Sequence, residues 1–292
     1  MKIHFLKVIW GDAVMLENNG EYALIDTGYD KTFPYIKEYL DGLGVKELSF
    51  ILLTHFHRDH YGSIPAILDE YKVNRVYFKE YSGLEKSTAW GTPAEDEYRQ
   101  SELDKCAAMR EAIREKSMLV PAEETKVVPF SGYEMHLFST ENRVRAVYED
   151  ESCPERYHSI TCGENANSLA AFMKVGKVNL FFGGDIGDSP SNHPLLNRIN
   201  TGIAQRIGEE IDIYKVPHHG TGGCNRPEAL DIYKPKIAVI TNHIKYLSEK
   251  SPIFEDLRRA NPDVKIYLTE LSEVVIDVSE DGKVTVEKGT EI

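Results

Sequence analysis

Four residues in the stretch "LLTHFHRDHYGS", residues 52–63, carry side chains that bind metal ions: His55, His57, Asp59 and His60. Imidazole nitrogens and carboxylate oxygens are donors for zinc and related cations. The chain holds only 10 histidines in 292 residues, so three of them here are hard to explain as ordinary surface or core residues. The apolar run Ile51, Leu52, Leu53 reads as the end of a buried strand, and Gly62 with a helix-like segment follows. Side chains alternate along a strand, so His55 and His57 should share one face. Asp59 and His60, beyond the turn, come from a second direction. Such an arrangement can hold two ions.

A metal reading requires further ligands at later strand ends, and two stretches offer them. In "KVNLFFGGDIGD" a buried strand runs into Gly183 and Gly184, which permit close backbone approach, and then Asp185. Taken alone, Asp185 reads equally well as a turn cap; beside the histidine cluster it reads as a carboxylate bridging two metals. In "DIYKVPHHGTGG" another strand ends at Pro217, followed by His218 and His219. Adjacent residues at a strand end point in opposite directions. Only one should therefore bind metal, His219 by preference, while the other hydrogen-bonds a ligand or the substrate. Asp26 in "LIDTG" sits at a third strand end, where it is expected to accept a hydrogen bond from a ligating imidazole, with a plain turn residue as the alternative. His243, after the strand "KPKIAVIT", could donate a proton to a leaving group or be a surface loop histidine.

The elements needed to hold these residues can be read from periodicity. Residues 2–9, 13–17 and 22–26 read as strands, with "NNG" at 18–20 as a hairpin turn. "KTFPYIKEYLDGLG" reads as a helix closed by Gly44, residues 63–71 as a helix, and 75–78 as a strand. From about 80 to 124 the composition becomes that of a charged helix opening at Thr92-Pro93. It reads as a helical insertion packed beside the main sheet. A polar loop near 141–167 is followed by a hairpin across Gly176. A helix over about 190–207 comes next, then short strands with one more helix near 252–260. Two strand-rich halves, each with helices for an outer layer, predict one α/β domain over 1–292, built as a four-layer αβ/βα sandwich.

Composition narrows the function classes. A hydrophobic share of 41% with 28% charged residues is that of a globular chain, and no apolar run reaches the ~18 residues of a membrane span. The N-terminus alternates like a strand and lacks a signal peptide's apolar region. A cytoplasmic protein is expected as the sequence stands, or a secreted one if a leader has been removed. Cys106, Cys153, Cys162 and Cys224 show no CxxC spacing and read as free or buried thiols. A net charge of −13 disfavours nucleic acid as a partner, although a local basic groove is compatible with it.

"ALIDTG", "LLTHFHRDHYGS", "NANSLAAF", "LFFGGD" and "YKVPHHGT", in this order, resemble the metallo-β-lactamase fold superfamily. Within it the chain looks most like the ComEC-type hydrolases and the related phosphorylcholine esterases of bacterial surface teichoic acid. The likeness covers most of the chain, and the H-x-H-x-D-H motif is specific for the superfamily but not for substrate. The resemblance implies that His55 and His57 bind one metal, Asp59 and His60 the second, that Asp185 bridges them, and that His218 or His219 completes the second site. Many members supply another histidine to the first metal. Here "GENANSLA" occupies that region, with Asn167 and Ser168 where a ligand would stand. The first metal is then implied to be weakly held, or completed by water or a substrate oxygen, with His158 as a distant substitute. "IWGDA" carries one glycine where relatives often have two, which leaves Asp12 without an assigned role.

The chemistry expected of such a centre is hydrolysis. Two divalent ions, zinc by donor type with manganese or iron as alternatives, generate an attacking hydroxide from water. Asp59 would orient or deprotonate that water. No G-x-S-x-G nucleophile elbow is present. A phosphodiesterase acting on a small-molecule phosphoester is the preferred reading. A choline-bearing substrate would use Tyr61, Tyr81, Trp90 and Tyr98 with the acids Glu80, Glu95, Asp96 and Glu97 around a cation. Of these aromatics Tyr61 and Trp90 are the main substrate-binding candidates; packing of the inserted helix is the competing role for all four. The alternatives are a ComEC-type nuclease, an acyl hydrolase (lactonase, thioesterase or β-lactamase), and a degenerate metal-binding module.

Overall fold

The computed structural model describes residues 1–83, 93–140, 163–187, 198–221 and 224–292. Trp90, Cys153, His158 and Cys162 lie outside them, as do the side chains of Glu95 and Asp96. The strands of the first part are β1 (Lys2–Phe5), β2 (Val14–Asn18), β3 (Glu21–Ile25), β4 (Glu47–Leu48), β5 (Phe50–Leu52), β6 (Lys72–Val73), β7 (Arg75–Phe78) and β8 (Met118–Pro121). Those of the second are β9 (Val127–Phe130), β10 (Tyr133–Phe138), β11 (Ala170–Val175), β12 (Val178–Phe182), β13 (Ile213–Lys215), β14 (Ile237–Ile240), β15 (Lys265–Leu268), β16 (Val274–Val278) and β17 (Val284–Lys288).

Eight strands form one sheet in the order β17-β16-β1-β2-β3-β5-β7-β8, and seven form another in the order β15-β14-β13-β12-β11-β10-β9. β3, β5, β7 and β8 run parallel in the first sheet, and β12 to β15 run parallel in the second. The apolar runs noted in the sequence are strands buried on both faces. In β5, Phe50 and Leu52 face the core between the sheets while Ile51 faces outward. In β12, Leu180 and Phe182 face that core and Phe181 faces outward.

The outward residues are covered by helices. Ile36 and Leu40 of helix Phe33–Gly42, Ile64 and Ile67 of Ile64–Glu70, and Met109 and Ile113 of Pro93–Lys116 cover Leu24, Ile51 and Val76. Ile203 of helix Ile199–Ile207, Leu230 of Pro227–Tyr233 and Leu257 of Ile253–Ala260 cover Phe181, Tyr214 and Ala238. The result is the four-layer αβ/βα sandwich predicted from the element order.

Two details differ from the expectation. The interval read as a helical insertion does contain the helix Pro93–Lys116, but Met118–Pro121 is strand β8 on the edge of the first sheet. The helices Pro227–Tyr233 and Ile244–Lys250 were not anticipated, because each is only 7 residues long and too short for a clear period. Among the described residues, no helix is long and apolar enough to cross a membrane. Cys106 and Cys224 form no disulfide among the described residues.

Candidate metal centre

The carboxyl ends of parallel strands from both sheets meet at one edge of the sandwich, as open α/β folds arrange their ligand sites. β3 delivers Asp26, β5 the loop Thr54–His60, β12 Asp185, β13 His218 and His219, and β14 Thr241. Asp185 lies at the centre. Its Oδ1 is 3.3 Å from His60 Nε2, and its Oδ2 is 3.3 Å from His219 Nε2, 3.7 Å from His55 Nε2 and 3.9 Å from His218 Nε2. Asp59 Oδ2 stands 3.3 Å from His219 Nε2 and 3.8 Å from His60 Nε2. His57 Nδ1 faces His55 Nε2 at 3.0 Å.

Close packing at the end of β12 makes this approach possible. A Cβ on Gly183 would stand 2.3 Å from Pro217 Cγ, and one on Gly184 would stand 2.9 Å from Thr54 Cβ. Gly184 also has φ +50°, in the left-handed region. Of the seven non-glycine residues with positive φ among the described residues, Asp26, His218 and His219 belong to this cluster and Trp10 flanks it. Such backbone costs on the order of 1–3 kcal/mol per residue and gathers at functional sites. It also explains a departure from the sequence reading. His218 and His219 were expected to point apart, as on a strand, but β13 ends at Lys215 and both residues are left-handed (φ 49° and 51°). Both rings therefore turn toward Asp185.

Hydrogen bonds fix which ring nitrogen is available for coordination. The Asp26 carboxylate can only accept, and it takes the Thr54 hydroxyl at 2.7 Å, the Thr54 amide at 2.8 Å and His60 Nδ1–H at 2.8 Å. Because the Thr54 hydroxyl donates to Asp26, it accepts from His55 Nδ1–H at 3.2 Å. A second relay of the same kind serves His219. The Thr241 hydroxyl donates to Asp12 Oδ1 at 2.7 Å and accepts from His219 Nδ1–H at 2.9 Å. In each case Nδ1 is committed as a donor, and Nε2 is the nitrogen that faces Asp185 and is open to a cation once it has lost any proton.

This pattern fits bound cations. Among the described residues His60 Nε2, His219 Nε2 and Asp185 Oδ1 are buried without a hydrogen-bond partner, and such atoms are otherwise rare and costly. His55, His57 and Asp185 form one group whose ligand atoms lie within 4.8 Å of one another; His60, Asp185, His219 and Asp12 form another. Asp12 is already engaged, its Oδ2 by the Lys215 ammonium and its Oδ1 by Thr241 and, at 3.2 Å, His219 Nδ1. Asp59, 15% exposed and bonded to neither Lys215 nor Thr241, is the better fourth donor.

The rings divide by titration in the metal-free chain. Burial holds His55 well below the usual imidazole range and takes His218 to about 4, so both rings are neutral donors. Burial also acts to lower His60 and His219, but the surrounding carboxylates, Asp185 foremost, outweigh it and hold both well above that range. Burial acts to raise Asp185, yet His219, His60 and His218 hold it well below the carboxylate range.

Other candidates are placed differently. His243 is not brought into the cluster: its Nδ1 is 2.9 Å from Glu270 Oε1 and its ring is 6.4 Å from that of Trp10. Tyr61 is turned into the core, stacked on Phe56 at 4.0 Å with its hydroxyl on Glu102, and Tyr81 is buried. Both therefore pack the inserted helix and form no rim. Asn167 accepts from Thr140, and Ser168 is buried. The residue of that segment that reaches a histidine is Asn165, whose Nδ2 is 3.0 Å from His218 Nε2.

Glu164, fully buried, accepts from the amides of Phe56 (3.0 Å) and Ser82 (2.9 Å) and so pins the loop between His55 and His57. Neither it nor Lys215 was singled out in the sequence. Lys215 had a signal: in "DIYKVP" it falls on the inward face shared by Ile213, where an apolar residue is expected.

Residues 11–136 match the family profile described as the metallo-beta-lactamase superfamily. The match covers less than half of the chain, and the fold described above is of the metallo-beta-lactamase type. The metallo-beta-lactamase fold protein YhfI from Bacillus subtilis superposes with a TM-score of 0.51 at 11% identity, covering 98% of each chain. The CmlA beta-hydroxylase E377D mutant superposes with a TM-score of 0.53 at 11% identity, covering 95% of this chain and 54% of the other. At such identity these likenesses concern the fold alone. ComE operon protein 3 of Bacillus subtilis (strain 168) is 23% identical over 203 residues, which is 70% of this chain and 21% of that protein. The chain thus spans about a fifth of the length of the curated relative it matches. The candidate ligands lie both inside the profile match, at His55 to His60, and beyond it, at Asp185 and His218–His219.

Proposed function

We propose that this metallo-beta-lactamase domain is a dinuclear metal-dependent hydrolase acting on phosphodiesters. His55, His57, Asp185 and His218 would hold one ion, and Asp59, His60, Asp185 and His219 the other; zinc suits this mixed imidazole and carboxylate set. His218 thereby takes the part for which the sequence offered no additional histidine. The observation that carries the reading is the group of partnerless buried atoms, His60 Nε2, His219 Nε2 and Asp185 Oδ1. A pair of divalent ions, when bound, supplies a nucleophile from water at neutral pH and stabilises charge on the attacked group.

The chain's own residues do the rest. Asp59, the most exposed carboxylate of the set, orients the attacking water and takes its proton. Asn165 Nδ2, 3.0 Å from His218 Nε2, would be released as a neutral donor for a substrate oxygen when His218 coordinates an ion. Charge favours an anionic substrate. Asp12, Asp26, Asp59 and Asp185 face a single buried ammonium, Lys215, so their excess negative charge is just exceeded by two divalent cations. A net positive centre suits a phosphodiester better than a neutral ester. The resemblance to ComEC-type hydrolases points the same way.

The test is metal analysis of the purified chain followed by a substrate panel: bis(p-nitrophenyl) phosphate and p-nitrophenyl phosphorylcholine against p-nitrophenyl acetate, a lactone and a β-lactam. Two ions per chain with phosphodiester turnover abolished by His57→Ala is the expected outcome. Turnover confined to the acyl substrates would replace the phosphodiesterase reading with an acyl hydrolase. Absence of both metal and turnover would leave a degenerate module.

A further inference from the structure

Lys215 is 1% exposed, and its ammonium forms an ion pair with Asp12, itself 2% exposed. A buried ion pair is a weak source of stability, because desolvation of both charges offsets their attraction and an apolar pair of similar volume often does as well. This one, however, spans the two sheets. Asp12 precedes β2 in the first sheet, while Lys215 ends β13 in the second. The same ammonium also donates to the Gly184 carbonyl at 3.3 Å, one residue before Asp185. β13 and β14 pair in parallel, with Lys215 opposite Val239. Thr241 lies two residues beyond Val239 and so continues the same inward face.

We propose that Lys215 is a positioning residue for His219. Its ammonium holds Asp12 as an acceptor; Asp12 takes the Thr241 hydroxyl and lies 3.2 Å from His219 Nδ1, and the Thr241 hydroxyl takes His219 Nδ1–H, so that Nδ1 is kept as the donor and His219 Nε2 is aimed at Asp185 and Asp59. The direction of the chain is forced, because an ammonium only donates and a carboxylate only accepts. Without the ammonium, Asp12 loses the partner that holds it and turns away from Thr241 and His219. The Thr241 hydroxyl is then free to donate to His219 Nδ1, which shifts the ring proton onto Nε2, the metal-facing atom. This assignment rests on the reading of His219 as a ligand. It predicts that disturbing the relay weakens one ion and spares the other.

The experiment is titration of the metal-free chain with Zn(II), by calorimetry and by chelator competition, which resolves the two binding steps without any substrate. His219→Ala identifies the step to which His219 contributes. Lys215→Met should weaken that step by about 10- to 100-fold, the usual effect of losing a partner behind a ligand, and leave the other within about threefold. Thr241→Val should do the same, and Thr241→Ser should restore wild-type binding. The Thr241 pair keeps the test decisive if Lys215→Met fails to fold. The visible spectrum of the cobalt(II)-loaded protein should change in Lys215→Met and Thr241→Val but not in Thr241→Ser. If His219→Ala weakens a step while Lys215→Met and Thr241→Val lower only the Tm, the relay is overturned and the ligand reading stands. If His219→Ala changes neither step, the ligand reading fails and the relay with it.

Discussion

Asp26→Asn is the substitution whose consequences the structure specifies most fully. The carboxylate is 1% exposed and accepts three hydrogen bonds, two from Thr54 and one from His60 Nδ1, all within 2.8 Å. Asparagine keeps the shape but replaces one acceptor oxygen with an NH2 donor. If the amide oxygen stays on the Thr54 amide, the NH2 meets the Thr54 hydroxyl and His60 Nδ1. That hydroxyl must then accept and pass its hydrogen to His55 Nδ1, 3.2 Å away. His60 Nδ1 must likewise accept. Both rings are driven to carry their proton on Nε2, which faces Asp185. The reverse amide orientation sets an NH2 against the Thr54 amide, and a buried donor left unmatched costs about 1–3 kcal/mol.

One substitution therefore degrades a ligand in each candidate ion group. Loss of a partner behind a ligand weakens metal binding by about 10- to 100-fold, or about 1.4–2.7 kcal/mol. Zn(II) competition titrations of wild type and Asp26→Asn, with folding verified by circular dichroism, should show both steps weakened. Both steps staying within about threefold of wild type, outside the usual range for such partners, would refute the reasoning and reduce Asp26 to a turn residue.

Gly184→Ala should cost about 1–3 kcal/mol, since its Cβ would stand 2.9 Å from Thr54 Cβ and 3.0 Å from the Leu169 carbonyl at φ +50°. Chemical denaturation measures this, and a neutral effect would show that the β12 end is not packed as described. The metal-free protein should also respond to pH with a definite sign. His60 and His219 have raised values in the fold, so their stabilisation is complete below the unfolded value of about 6.5 and is lost as pH rises through the folded values. Asp59 and Asp185 have lowered values, so theirs is present above the unfolded value of about 3.9 and is lost as pH falls through the folded values. The metal-free Tm should therefore decline from neutral toward alkaline pH. Over the same interval Zn(II) affinity should rise and binding should release protons, seen as a dependence of calorimetric heat on buffer ionisation. Absence of proton release at pH 7 would contradict the charge state assigned to these rings.

The sequence was most legible where burial on both faces writes a continuous apolar run that stops at a polar residue. Ile51–Leu53 before His55 and Leu180–Phe182 before Asp185 are the clearest cases, and the hairpin at Asn18–Gly20 was equally plain. The paired direction of His218 and His219 was not legible, because it depends on two left-handed residues that no local pattern announces. Lys215, Thr241, Glu164 and Asn165 were missed for a related reason. Each acts by meeting a partner far along the chain, such as Thr241 with Asp12, and a single sequence records side-chain type without recording who faces whom. The edge strand β8 was absorbed into a helical reading because Met118–Pro121 follows a long charged helix without a glycine to mark the boundary.

The most direct measurement is zinc anomalous scattering from crystals of the metal-loaded chain. Two peaks are expected, one bounded by His55, His57, Asp185 and His218 and one by Asp59, His60, Asp185 and His219. A single peak, or zinc bound away from Asp185, would contradict the dinuclear centre.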